Sequence, residues 1–176
     1  MRHKHTLFFL NSLTIGILLI FTLVTPGKAQ FVDLGQDPCS TRWRQIKTDN
    51  FQIIYPDLFE DNAQYLANIY EKLYAHANTL GIKPKRMSMI VRANGGVSNG
   101  NASWAPKKSE LYTAPPQDVS DAWLEHLCIH EFRHIVQYDK VNQGFTKALY
   151  YIFGEQITMA VIGVYVPMWF LEGDAT

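Results

Sequence analysis

The chain has 176 residues, 47% of them hydrophobic and 18% charged, and its 16 basic and 16 acidic residues leave no net charge. This composition is typical of one globular domain and excludes a disordered chain. Without an excess of positive charge, the usual electrostatic argument for a nucleic-acid partner is missing, so none is expected.

The first 29 residues have the layout of a signal peptide. A short basic segment, MRHKH, precedes the apolar segment TLFFLNSLTIGILLIFTLV, and small residues stand at Gly27 and Ala29, before a cleavage point after Ala29. The alternative is an uncleaved anchor, because the apolar segment is long enough to span a bilayer. Both interpretations predict an exported protein, periplasmic or secreted, whose domain comprises residues 30–176 and whose membrane contact is confined to this segment.

Two cysteines, Cys39 and Cys128, fall in the exported part of the chain. Two cysteines do not make a disulfide framework, and Cys128 lies within an apolar helical pattern. They either pair or stay apart, and the sequence favours a buried free thiol at Cys128.

The first half of the domain alternates strand and helix patterns. Trp43–Pro56 reads as strand, turn and strand, with the turn at Asp49-Asn50. Residues 60–81 have apolar side chains at helical spacing, acids at the start and Gly81 at the end. Met87–Ala93 is a further strand, and residues 94–101 are rich in turn formers. The segments ASWAP and ELYTA then flank Lys107-Lys108, which predicts a hairpin at the edge of the sheet.

The second half is helical. Ser120 is a plausible N-cap, with Asp121 in the first turn, for a helix that continues to about Lys140. Residues 145–167 predict one or two helices, broken near Gly154 and ended by Pro167. The uncharged stretch 156–171 is short for a membrane span, which favours a buried core helix. Strands and one helix followed by further helices predict an α+β fold.

The segment HLCIHEFRHIVQYD, residues 126–139, carries the motif H-E-x-x-H. Residues four apart nearly eclipse on a helix, so His130 and His134 can direct a ring nitrogen at one point. Imidazole is a good ligand for Zn²⁺. Glu131 lies about 100° round the helix from His130, where a general base can take a proton from water.

Other polar residues near the motif have different predicted roles. His126 lies one turn before His130, but three eclipsed histidines cannot converge on one tetrahedral zinc, so His126 is expected to be a neighbour or to face solvent. Arg133 and Gln137 flank the motif, where they either orient ligands or substrate or are simply polar residues of the helix. Asp139 either hydrogen-bonds a ligating histidine or is simply a polar residue of the helix, which is the preferred interpretation.

A catalytic zinc site needs a third protein ligand. Glu155 lies 21 residues after His134 and Glu172 lies 38 after it. Spacing alone leaves both open.

The segments HEFRHIVQ and PMWFLEGDAT resemble the gluzincin metallopeptidases of the peptidase MA-like group. The resemblance implies that His130, His134 and Glu172 bind Zn²⁺ and that Glu131 is the general base, which leaves Glu155 to a cap or the surface. It also implies a zincin-like N-terminal subdomain: a small twisted sheet with an edge strand, then the active-site helix and further helices. That edge strand would pair with an extended substrate, and the candidate is GNASWAP, residues 100–106, especially Ala102–Trp104; a plain edge hairpin is the alternative.

In gluzincins the helix of the third ligand continues into a smaller C-terminal subdomain, which often provides a Tyr or His that stabilises the oxyanion. Since the chain ends at Thr176, the resemblance implies a fragment or a truncated product in which that subdomain is incomplete. Exported bacterial proteins of this type often continue into a TolB-like β-propeller.

The leading hypothesis is therefore an exported zinc peptidase acting on peptide or protein substrates. The second is a non-catalytic envelope module that keeps the fold and acts in assembly or binding with envelope partners. The third is a membrane-integrated protease whose second apolar segment spans the bilayer.

Overall fold

The computed structural model describes residues 37–117 and 122–175. The predicted signal peptide and the predicted cap at Ser120 and Asp121 lie outside the described residues. Within them, a five-stranded mixed sheet is combined with five α-helices, which confirms the α+β class.

The sheet has the strand order β1-β2-β3-β5-β4, so β1 and β4 are its edges. Strands β2, β3 and β5 run parallel, and the two edge strands pair antiparallel with their neighbours. The strands are β1 (Trp43–Lys47), β2 (Phe51–Pro56), β3 (Met87–Arg92), β4 (Ser98–Trp104) and β5 (Lys107–Thr113).

The hairpin predicted at the edge of the sheet is confirmed, but its bounds differ from the prediction. Lys107 and Lys108 belong to β5 rather than to the turn, and residues 98–101, predicted to be a loop, begin β4. Asn and Gly have weak strand propensity, but pairing with β5 overrides it, because tertiary context decides strand formation more than intrinsic preference does.

The helices are α1 (Glu60–Ala75), α2 (Trp123–Val141), α3 (Gly144–Phe153), α4 (Gln156–Tyr165) and α5 (Met168–Asp174). Gly81, with φ +74°, follows a short 3₁₀ turn after α1, and Gly154, also at φ +74°, separates α3 from α4. The predicted breaks at Gly81, Gly154 and Pro167 are therefore confirmed. Helix α2 begins at Trp123, without a side-chain cap from Ala122.

One face of the sheet and helices α1 and α2 form the core. In β2 the alternating residues Phe51, Ile53 and Tyr55 are buried, in the pattern expected of a strand with one covered face. Phe51 packs against Tyr70 of α1 and Phe132 of α2, with ring centroids 5.1 and 5.8 Å apart. Burying such a side chain contributes roughly 1.5–3 kcal/mol, so these contacts hold α2 firmly on the sheet.

The prediction of a buried core helix within residues 156–171 is wrong. Helix α3 has no buried residue, and α4 buries only Thr158 and Ile162. Helices α1 and α2 already cover the inner face of the sheet, whereas α3 packs on α4, and α4 packs on α2 and the edge strand β4. Among the described residues, no helix combines the length and the apolarity needed to cross a bilayer.

Cys39 and Cys128 are both free thiols, as the sequence favours. Cys39 is exposed, whereas Cys128 is buried in α2. Burial raises the pKa of the Cys128 thiol to about 12, which keeps it protonated and unreactive at neutral pH.

Candidate metal centre

Helix α2 turns one face to the core and presents the H-E-x-x-H motif beside it. Phe132, Ile135 and Val136 are buried in the core, while His130 and His134 project beside β4 and α5. The helical repeat brings the two imidazoles together, with their Nε2 atoms 3.1 Å apart and their rings almost perpendicular. Two ring nitrogens thus converge on one point beside the helix.

Glu172 of α5 brings a carboxylate to the same point. Its Oε2 lies 3.4 Å from His130 Nε2 and 3.7 Å from His134 Nε2. Ligand atoms around a tetrahedral zinc with bonds of about 2.0–2.1 Å lie about 3.3 Å apart, so the spacing of these three atoms fits the ion. His134 is buried, whereas Glu172 is half-exposed, which leaves the group open to solvent on one side.

Glu155, the other candidate for the third ligand, lies elsewhere. It stands at the N-cap of α4 without making a side-chain capping bond. Among the described residues, the group with metal-ligand spacing consists of His130, His134 and Glu172. The structure therefore brings together the three residues that the resemblance assigns to the metal.

Glu131 lies beside these potential ligands at the inner wall of the site. Its side chain is buried, and its Oε2 has no hydrogen-bond partner among the described residues. Burial, reinforced by the negative charge of Glu172, raises the pKa of Glu131 to about 7. An unpaired buried carboxyl is costly, and carboxyls with perturbed pKa values cluster at functional sites.

A hydrogen-bond network joins α2 to α5 behind the ligands. Gln137 contacts His134 Nδ1 through Oε1 at 2.9 Å and donates from Nε2 to Asp174 at 2.7 Å. Arg133 also donates to Asp174, through two nitrogens at 2.7 and 2.8 Å. Gln137 and Arg133 were expected near the ligands, whereas the sequence holds no signal for Asp174 apart from its position two residues after Glu172.

Asp139 and His126 lie outside the ligand group. Asp139 accepts hydrogen bonds from Lys107 Nζ and from the backbone N–H of Lys85, both at 2.9 Å, so it contacts neither ligating histidine. It is a buried partner in an ion pair, which is a larger role than that of a merely polar helix residue. His126 is exposed and lines the cleft one turn before His130.

A cleft of about 900 Å³ opens in front of the ligands. The edge strand β4 forms one wall with residues 99–102, and α2, α4 and α5 form the others. Of the segment predicted to contact substrate, residues 100–102 line the cleft, whereas Trp104 is buried and is not part of the lining. The lining stretch of β4 begins at Asn99, one residue before the predicted segment. The other walls are mostly apolar, and their apolar side chains include Met159, Ile162, Val166, Met168 and Leu171.

Comparison with models of protein families, with curated proteins and with solved structures found no match to this chain. The assignment of the site thus depends on the two segments that carry it and on the distances between their side chains.

Proposed function

We propose that this protein is an exported zinc-dependent peptidase of gluzincin type with a zincin-like fold. One observation carries the proposal: Glu172 comes from a segment 38 residues after His134, yet its carboxylate lies 3.4 and 3.7 Å from the two imidazole nitrogens. A mixed sheet whose antiparallel edge strand borders the cleft, followed by the motif helix, supports the fold assignment. Export rests on the signal-peptide pattern of residues 1–29.

Zinc and Glu131 would have different roles in peptide hydrolysis. Zinc supplies Lewis acidity, which polarises a carbonyl oxygen and lets water lose a proton near neutral pH. Glu131 takes that proton on its carboxylate and returns it to the amide nitrogen as the peptide bond breaks. Burial favours this role, because a carboxylate held away from water accepts a proton more readily than an exposed one.

The edge strand and the apolar walls define the expected substrate. Among the described strands, none pairs with the outer edge of β4, so its backbone groups can bind an extended peptide by strand addition. The apolar side chains of α4 and α5 favour peptides with apolar residues near the cleaved bond.

Catalysis is favoured over a purely structural zinc site. Structural zinc sites are normally closed by four protein ligands. Within residues 37–117 and 122–175, the ligand group has three members, one of them half-exposed. This arrangement leaves a coordination position for water or substrate, which a catalytic site requires.

The decisive experiment replaces Glu131 by Gln in zinc-loaded protein. Cleavage of a quenched fluorescent peptide library should fall about 10²–10⁴-fold, because the general base is lost, while bound zinc stays at one ion per chain. Glu125→Gln is the matched control on the same helix, because Glu125 bonds Tyr65 rather than the ligands. Wild-type protein that holds zinc but cleaves no peptide, or a Glu131→Gln variant with full activity, would refute the proposal.

A further inference from the structure

Asp174 is the point at which α5 is tied to the motif helix. Its two oxygens receive three hydrogen bonds, two from the Arg133 guanidinium and one from the Gln137 amide. Arg133 and Gln137 are four residues apart, so they lie on the same face of α2 and both donate hydrogen bonds to this carboxylate. Planar guanidinium and carboxylate groups joined by two bonds hold a fixed orientation as well as a short distance.

Gln137 connects the Asp174 carboxylate to the His134 ring by hydrogen bonds. Its Nε2 faces two acceptors, the Asp174 carboxylate at 2.7 Å and the Leu171 carbonyl oxygen at 3.1 Å. Only an amide N–H₂ can satisfy both, so the orientation of the amide is determined and Oε1 must face His134. The atom opposite Oε1 at 2.9 Å is His134 Nδ1, which must therefore carry the proton.

A proton on Nδ1 leaves the lone pair of His134 on Nε2, the atom that faces His130 and Glu172. The same network fixes the backbone around the third ligand, because Leu171 and Asp174 stand on either side of Glu172. Gln137 and His134 are both buried, so water competes little for these bonds.

We propose that Asp174, acting through Gln137, holds His134 in the tautomer that binds zinc through Nε2, and that its bond to Arg133 keeps Glu172 beside the imidazoles. Asp174, Gln137 and Arg133 are thus positioning residues. The inference rests on the metal site of the proposed function but not on peptide hydrolysis, so metal binding tests it separately.

The first test measures zinc affinity by competition with a chromophoric chelator. Asp174→Asn and Gln137→Met should each weaken binding about 10–100-fold, the usual effect of removing a partner behind a metal ligand. Because Gln137 lies on one of the two paths through which Asp174 acts, the double variant should lose little more affinity than Asp174→Asn alone. Arg133→Lys keeps the charge but loses the two-bond geometry at a partly buried ion pair, and its zinc affinity should fall a few-fold.

The second test observes the tautomer directly in zinc-free protein. Imidazole ¹⁵N chemical shifts should show the proton of His134 on Nδ1 in the wild type, and a mixture of tautomers in Gln137→Met and Asp174→Asn. Asp139→Asn is the matched control. Asp139 is a buried carboxylate on α2, the helix of Gln137, but it pairs with Lys107. This substitution should leave the zinc affinity of the folded protein and the His134 signal unchanged.

The outcomes separate the inference from the proposed function. Wild-type zinc affinity and an unchanged His134 signal in folded Gln137→Met, Asp174→Asn and Arg133→Lys would overturn the inference and leave the peptidase proposal standing. A zinc-loaded wild type without peptidase activity, combined with the expected losses of affinity, would support the inference and overturn the peptidase proposal. A wild-type chain that binds no zinc would overturn both.

Discussion

Gly100 of the edge strand and Glu131 of the motif helix are packed so closely that residue 100 has no room for a side chain. A Cβ atom at Gly100 would lie 2.2 Å from Glu131 Oε1 and 2.7 Å from Leu127 Cδ1. Real Cβ atoms essentially never approach other atoms so closely. The strand that borders the cleft therefore also forms the wall behind the proposed general base, so a change in one displaces the other.

Gly100→Ala should consequently damage both stability and activity. Overpacking typically costs about 1–3 kcal/mol, and relief of the clash requires either β4 or the side chains of both Glu131 and Leu127 to move. We expect kcat/KM for peptide cleavage to fall at least about tenfold, since misplacement by about 1 Å can cost 10²-fold. Gly96→Ala is the control, because a Cβ there meets nothing within 4 Å. Urea unfolding and peptide cleavage measured on both variants test this, and a Gly100→Ala variant with wild-type kcat/KM would contradict it.

Replacement of any one of the three proposed metal ligands should suppress the stabilisation expected from added zinc. A ligand that binds only the folded state stabilises it by about 2.7 kcal/mol at 100 times its Kd. Adding zinc should therefore raise the Tm of the wild type, and His130→Ala, His134→Ala and Glu172→Ala should suppress this rise. His126→Ala should keep it, because His126 lies outside the ligand group. Equal Tm responses in all four variants would show that zinc binds elsewhere.

Local patterns in the sequence predict much of this site. The spacing of His130 and His134 determines their convergence, because helix geometry alone places residues four apart on one face. The edge hairpin and the helix breaks at Gly81 and Gly154 also follow from short segments. Each of these features depends on residues that are close together in the chain.

The features that sequence reasoning missed depend on contacts between distant segments. Arg133 and Asp174 are 41 residues apart, and no sequence pattern near either residue predicts their ion pair. The close packing of Gly100 on Glu131 likewise joins residues of two elements, β4 and α2. The exposure of α3 and α4 was missed because their apolar composition predicts burial. Composition does not show whether another element of the fold covers these helices.

The buried pair of Lys107 and Asp139 gives a prediction about stability alone. The Lys107 and Asp139 side chains are only 14% and 8% exposed, and their charged atoms are 2.9 Å apart. Burial lowers the pKa of Lys107 even though the negative charge of Asp139 acts to raise it. The charged form of Lys107 is therefore stabilised in this buried position by Asp139. Removing one member of such a pair leaves an uncompensated charge, and Asp139→Leu should lower the free energy of unfolding by about 3–5 kcal/mol.

A double variant identifies the origin of that loss. Lys107→Met combined with Asp139→Leu removes both charges, so it should be less destabilised than the sum of the two single variants. Denaturant unfolding of the three proteins measures this coupling. Strictly additive losses would mean that packing around Asp139, and not the charge pair, accounts for the effect.

Glu71 should make folding sensitive to acid, because it holds the turn between β1 and β2. Its carboxylate accepts bonds from the backbone N–H and the side-chain amide of Asn50, at 3.0 and 2.8 Å. Burial alone would raise the pKa of Glu71, but the polar groups of Thr48 and Asn50 outweigh it and hold the pKa below the ordinary 4.5. A carboxyl whose pKa is lower in the folded state stabilises the fold above its unfolded pKa, and this contribution is lost as the pH falls through the folded value.

The wild type should accordingly be more stable than Glu71→Gln at about pH 7, and the difference should shrink as the pH drops below about 4.5. Urea unfolding across this range measures the difference in the free energy of unfolding. Asn62→Ala is the control, since Asn62 is exposed on α1 and carries no charge, so its difference from the wild type should not depend on pH. If the difference in the free energy of unfolding between wild type and Glu71→Gln stayed constant down to about pH 3, the charge of Glu71 would not account for it. A carboxylate that stabilises the turn through its charge loses that contribution once it is protonated.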